Sequence, residues 1–501
     1  MSGIAFNEDF WAFYNYKRPT EMTEEGVRNW VRQYANTQVK ELLLNPNFSR
    51  ALYKSEVWEP IWVNYDPDGP DVQPAISTDP DFDTNSDWNR TAVHNAYILN
   101  KRGVNPFTIA IDECRRSGIS PWLTMRMNDV HNVCDESSYM HSTFWRKNPQ
   151  FRRAEYRYAK TGDWSDRALD YGHKEVREHQ MLLIDEMLKW YDIDGLELDW
   201  MRTPPHFKPG DDVKNAALLT EFMKEVREKA DGAEKVRGHK IQLGVRVPAH
   251  PETAYGIGID IMSWVKNGYV DWIVVTCYNP TIDTDMPIEL WKELLHGTQV
   301  TLCAGAEIIL KSYPKTKQFQ ENSLLTARGF ASSVLSRGAD RVYLFNYFDF
   351  PESIISDREH YSELFHEIGE AETLRDKPRR HVVSYTDFYP VGAPHCAILP
   401  LKVKGISDVR IHTGPITDMT PYVVLGVASG NGEALSVCMN GGHKCKPVGP
   451  CELPCPNPEQ QTQCYQFRVP QRVLNDGYNV IEIGSEDEAV IDWVEIAYRA
   501  D

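Results

Sequence analysis

Along residues 1–370, short apolar runs alternate with stretches of helical period. The first run, residues 10–16, predicts a strand. Residues 24–36 follow, with Val27, Trp30, Val31 and Tyr34 on one helical face. Further strands are predicted at residues 39–44, 121–127, 193–199, 241–247, 270–278, 300–303 and 341–345. Helical periods lie over residues 107–116, 174–190, 259–266, 288–295, 324–336 and 352–368, and from Leu219 to Val226. Eight strand–helix units in this order predict the α/β class and a (β/α)8 TIM barrel. A doubly wound open sheet is the alternative. The Gly-rich loop that often follows its first strand is missing.

The pattern changes after residues 372–382, a charged, proline-containing run read as a linker. Beyond it, residues 397–401, 408–412, 422–427, 436–439, 465–469, 479–483 and 491–498 read as short alternating strands. They predict a C-terminal all-β sandwich domain. The expected division is a catalytic barrel over residues 1–371 and the sandwich over residues 383–501.

If the barrel forms, its strand ends converge on one mouth. The fourth predicted strand is the most informative. It runs Ile193-Asp-Gly-Leu-Glu-Leu-Asp199 and continues into Trp200-Met-Arg202. Glu197 and Asp199 share one parity on it, so both point the same way. Carboxylates on a buried strand are costly unless paired, hydrogen-bonded or used in chemistry. The seventh strand runs toward Glu307, across the mouth. Cleavage of a glycosidic bond needs two carboxyl groups, an acid and a nucleophile or base. Asp199 is expected as the general acid/base and Glu307 as the nucleophile, with the reverse assignment open. An open, sugar-sized cleft is expected between them. Glu197, one layer deeper, would tune Asp199. Arg126, Asn128, Asp129, His131, Trp200, Arg202, Arg246, His250, Tyr278, Asn346 and Tyr347 stand at or just beyond strand ends as candidate substrate-binding residues. Trp145, in the long insert at residues 128–172, is a further candidate for stacking on a sugar ring. Each has a structural alternative: arginines neutralising acids, histidines bonding within loops, tryptophans packing in the core.

Composition narrows the ligand. The net charge of −18 argues against nucleic acid. There is no apolar run of about eighteen residues, so no membrane span is expected. No basic and apolar leader opens the chain. Cys438, Cys445, Cys451, Cys455 and Cys464 cluster late among the ten cysteines. That crowding predicts a disulfide-stapled loop and a secreted or periplasmic protein. Irregular spacing without a C-x-x-C pair disfavours zinc. No cofactor and no metal are implied, and no G-x-S-x-G elbow points to a serine hydrolase.

The run Asp194-Gly-Leu-Glu-Leu-Asp-Trp-Met-Arg202 resembles the fourth-strand signature of glycosyl-hydrolase-like family-ten proteins, and more distantly the corresponding strand of chitinase-type barrels. Arg126-Met-Asn-Asp-Val-His131 with Phe144-Trp-Arg146, and Val342-Tyr-Leu-Phe-Asn-Tyr-Phe348, are similar to the third and last strands of the same group. The resemblance implies a (β/α)8 glycoside hydrolase of polysaccharides over about residues 5–370. Several polysaccharide-degrading families, some of them acting on sulfated algal polymers, look similar in architecture. The chitinase-type pattern would place a Glu where Met201 stands, which disfavours a substrate-assisted route.

The expectation is a glycoside hydrolase acting on a polysaccharide or oligosaccharide by carboxylic acid/base catalysis. A retaining route and an anionic or sulfated polymer complete it. The alternatives are a non-catalytic carbohydrate-binding barrel, and a metal-dependent hydrolase or deacetylase built on Asp129 and His131.

Overall fold

The computed structural model describes residues 2–500, except 77–87, 134–135, 137, 155–163, 279, 318–319, 348–357, 390–392, 394–396 and 454–461. Cys134, Cys396, Cys455 and Phe348 lie outside the described residues, as does the start of the helix expected at 352–368.

Eight parallel strands close a barrel. Seven are β1 (Ile4–Asp9), β2 (Val39–Asn45), β3 (Ser120–Arg126), β4 (Gly195–Asp199), β5 (Gln242–Pro248), β6 (Trp272–Thr276) and β7 (Thr301–Glu307). The closing strand, Arg341–Phe345, pairs with both β7 and β1. Helices stand between them, among them Pro106–Arg116, Lys174–Trp190, Asp212–Arg237 and Leu324–Ser336. Local chemistry sets their ends. Asn105 accepts from the backbone of Phe107 and Thr108 ahead of Pro106, and Gly238 ends its helix at φ 79°.

One expected strand is a helix. Residues Phe10–Tyr16 are helical, and the first strand is the run before them. Phe10, Phe13 and Tyr14 recur at helical spacing and bury one face, and Asp9 caps the helix by accepting from the backbone of Trp11 at 2.9 Å. The shift matters because it puts Asp9 at the mouth end of β1.

The barrel interior is layered. At its lower end Trp122 and Trp272 meet with ring centroids 4.8 Å apart, among Val274, Leu43 and Cys303. A Cβ at Gly195 would stand 2.3 Å from the Trp122 indole, so that strand start has to be glycine. Toward the mouth the layers turn polar. In register, Glu197 stands beside Thr124 and Gly244, and Asp199 beside Arg126 and Arg246.

The C-terminal module is all antiparallel β. One long strand, Tyr478–Arg499, pairs in its first half with Leu401–His412 and in its second with Thr420–Ser429, around a separate apolar core. Two strands expected apart, 479–483 and 491–498, belong to this one element. The run expected as a linker is structured. It contains the helical turn Ala371–Leu374 and the strand Arg379–Val382, which pairs with the long strand. Helix Leu324–Ser336 packs on this strand so closely that a Cβ at Gly329 would lie 1.9 Å from the Arg380 carbonyl oxygen. Arg380 Nε donates to Glu495 at 3.1 Å.

The expected disulfide staple is not formed among the described residues. Cys438, Cys445, Cys451 and Cys464 are thiols, with Cys438 Sγ directed at the Gly442 carbonyl at 2.9 Å. No helix among the described residues is long and apolar enough to cross a membrane.

Candidate active site at the barrel mouth

Asp199 ends β4 with 1% exposure. Arg246 Nη1 donates to both its oxygens, at 3.1 and 3.0 Å, and the Met201 backbone donates to Oδ1 at 2.9 Å. The open cleft expected at Asp199 is therefore corrected. A carboxylate this deep needs a counter-charge, and the Arg246 guanidinium supplies it. Arg246 in turn lies 3.8 Å from the centroid of the Phe345 ring.

Glu197 lies one layer below. Its Oε1 accepts from Thr124 Oγ1 at 2.7 Å and Tyr343 Oη at 2.8 Å, and its Oε2 has no partner among the described residues. Burial, then the charge of Asp199, pushes its carboxyl above the usual range. Asn7 donates to the same Tyr343 hydroxyl at 2.6 Å.

Glu307 is the last residue of β7, not the start of a helix, and is 3% exposed. Asn346 Nδ2 donates to both its oxygens, at 2.9 and 2.8 Å, and the Ile308 backbone donates to Oε1 at 3.0 Å. Burial pushes the Glu307 carboxyl up to about 7, against the opposing pull of the Asn346 hydrogen bond and the Arg202 charge. Asn346 sits at φ 62°, in the left-handed region that asparagine tolerates.

Arg126 donates from Nη2 to Asp9 at 2.6 Å and from Nη1 to Asp129 at 3.3 Å. Asp129 also meets His131 Nδ1 at 2.9 Å. Burial works to raise the Asp129 carboxyl. The charge and hydrogen bond of His131, then Arg126, override it and hold the group well below the usual range. Arg202 Nη2 donates to Asn346 Oδ1 at 3.2 Å, with its guanidinium 4.7 Å from the centroid of the Phe345 ring.

The remaining candidates separate into those at the mouth and those behind it. Tyr278 is half-buried beside Arg202, and its backbone N–H donates to Asp387 at 2.8 Å. His250 stands aside, its Nε2 3.0 Å from Asp283, in a cavity of about 380 Å³ shared with Glu252 and Tyr385. Burial pulls its imidazole down, and the bond to Asp283 more than reverses this, leaving it above its ordinary value.

Four expectations of sugar contact are corrected. The Asn128 side chain is consumed by the Leu169 backbone, donating at 2.8 Å and accepting at 2.8 Å. Trp200 is wholly buried among Tyr171, His206, Phe222 and Trp264. Tyr347 is also buried, its hydroxyl bonded to Asn322 behind Glu307. Trp145 stacks on His141 and carries the Arg152 guanidinium 3.6 Å from its ring centroid, so both partners are the protein's own. In each case an apolar body or an amide met the protein's own groups first.

Asp9, Tyr343 and Thr124 were missed. Asp9 follows from reading Ile4–Asp9 as a strand, and Thr124 and Tyr343 from following inward parity two residues below the strand ends. Among the described residues, no cluster of three or more His, Cys, Asp or Glu side chains could hold a metal. Asp129 and His131 bond each other instead.

No protein-family model matches the chain, and no curated protein matches it. Solved structures give distant likenesses. An alpha-L-fucosidase isoenzyme 2 from Paenibacillus thiaminolyticus matches at 11% identity and TM-score 0.43, over 74% of this chain and 49% of its own. The PgaB (BpsB) glycoside hydrolase domain from Bordetella bronchiseptica matches at 9% and 0.41, over 74% of this chain and 99% of its own. A GH36 alpha-galactosidase from Geobacillus stearothermophilus matches at 12% and 0.37, over 96% and 55%. The chain thus spans about half the length of the first and third.

Proposed function

We propose that the chain is a glycoside hydrolase, with Glu307 as the general acid and Asp199 as the ionised partner, nucleophile or base. One observation carries this reading. Two carboxyl groups at one barrel mouth have opposite surroundings, and that contrast assigns acid and base roles. Asp199 sits in an ion pair with Arg246. Glu307 makes no ion pair among the described residues and is raised to about 7 by burial, which suits a group that must carry a proton near neutral pH. This reverses the roles first expected from sequence. Glu197 is the positioning carboxyl beneath Asp199. A retaining outcome, kinship with the family-ten group and a secreted or periplasmic location belong to the same proposal.

A second reading is a carbohydrate-binding barrel without catalysis. The covering of Asp199 by Arg246 favours it.

A hydrolysis screen of wild type against a broad polysaccharide set decides between them, with the anomeric form of the first product reporting retention or inversion. The glycosidase reading expects cleavage by wild type, and loss of cleavage with kept binding in Asp199→Asn. Binding without cleavage across the whole set supports the second reading.

A further inference from the structure

We propose that Arg202 is the specificity-determining residue for a negatively charged sugar, one carrying a carboxylate or a sulfate on the ring held at the barrel mouth. The inference deepens the glycosidase reading and rests on it for the bond that is cut.

Three guanidiniums stand at this mouth, and their counter-charges are unevenly placed. Arg126 holds two carboxylates, Asp9 and Asp129, and Asp129 is shared with His131. Arg246 holds Asp199. Arg202 forms no ion pair among the described residues. Its hydrogen bond goes to a neutral amide oxygen, that of Asn346, and its Nε has no partner among them. Yet Arg202 is only 7% exposed. Burial, then the like charges of Arg126 and Arg246, pushes its guanidinium down from the ordinary range, against smaller opposing pulls from Tyr278 and Asp199. The two acids that could answer it are engaged otherwise. Asp199 is paired with Arg246, and burial drives Glu307 toward its neutral form.

Burying a guanidinium carries a desolvation cost, and the ring contact with Phe345 and one bond to a neutral amide leave it without an opposite charge. An anionic group bound here would supply the missing counter-charge. A guanidinium suits this task because its planar fork meets a carboxylate or sulfate with two parallel hydrogen bonds. Phe345 and Asn346 hold the fork in place, and Glu307 lies next to it through Asn346, so the anion would be read beside the proposed acid.

The test is calorimetric binding of matched oligosaccharides, neutral, uronate-bearing and sulfated, to wild type, Arg202→Met and Arg202→Lys. Wild type is expected to bind one charged member at least about tenfold more tightly than the neutral one. Which charged member it prefers identifies the anion. Arg202→Met is expected to lose that preference, the ratio of charged to neutral affinity falling to about one. Arg202→Lys, a point charge without the fork, is expected to keep only part of it. Equal binding of charged and neutral members by wild type overturns the proposal, and that comparison needs no variant to fold. A charged preference surviving in Arg202→Met overturns it too. Hydrolysis is scored separately. Charged preference without cleavage of any glycan sinks the glycosidase reading and leaves the anion site standing.

Discussion

The two sides of the barrel mouth are built on different terms. On the side of β1 to β5 the acids at the strand ends have their bases, and Glu197 beneath them is held by the hydroxyls of Thr124 and Tyr343 instead. Asp9 and Asp129 share Arg126, and Asp199 has Arg246. On the side of β7 and the closing strand, Glu307 and Arg202 face each other through a neutral amide, Asn346. The first side reads as a closed electrostatic frame. The second holds an acid raised toward neutrality and a guanidinium without an ion-pair partner among the described residues. Perturbed, incompletely paired groups mark sites of chemistry better than paired ones do. On the proposed reading Glu307 supplies the proton, and Asp199, held by the frame, is its ionised partner.

The largest effect should come from breaking the reactive side. Glu307→Gln is expected to lower glycan hydrolysis by about 10²–10⁴-fold, with folding intact by circular dichroism. Breaking the frame should act on stability as well. Arg246→Met strands Asp199 as a buried, unpaired charge and should cost about 3–5 kcal/mol in chemical denaturation. If Arg246→Met unfolds no more easily than wild type, the frame is no frame.

A smaller effect is expected from pH. The Glu307 carboxyl titrates near 4.5 in the unfolded chain and near 7 in the folded one. Between those values the folded state holds the extra proton, so stability falls as pH rises from about 4.5 to about 7 and then levels. The Glu307 share of the fall should be on the order of 3 kcal/mol, and the slope should be shallower in Glu307→Gln, with Glu197 and Glu321 raised over the same window carrying the remainder. An unchanged slope in that variant would show that Glu307 does not carry the proton.

Much of this was legible in the sequence because strand parity and strand ends are geometric facts. Arg126, Asp199 and Glu307 follow from asking which inward residue ends each strand, and Arg246 from the inward position two residues before the end of β5. Asp9 was hidden by an aromatic run, Phe10–Tyr16, whose β-forming composition outweighed its helical spacing in the reading. Trp200 and Tyr347 follow strand ends by one and two residues, yet both turn into the packing behind the barrel. Proximity to a strand end does not fix side-chain direction once the chain leaves the strand. Pairing is the least legible level of all. Nothing in the sequence tells which of three arginines has an acid to itself, because that depends on register across strands far apart in the chain.

The most direct measurement is the rate of glycan hydrolysis by wild type across about pH 5–9. Cleavage that is lost as pH rises through about 7, and that is lowered about 10²–10⁴-fold in Glu307→Gln, is the predicted result. Cleavage that persists undiminished to pH 9, or that runs at the wild-type rate in Glu307→Gln, would contradict the role given to Glu307.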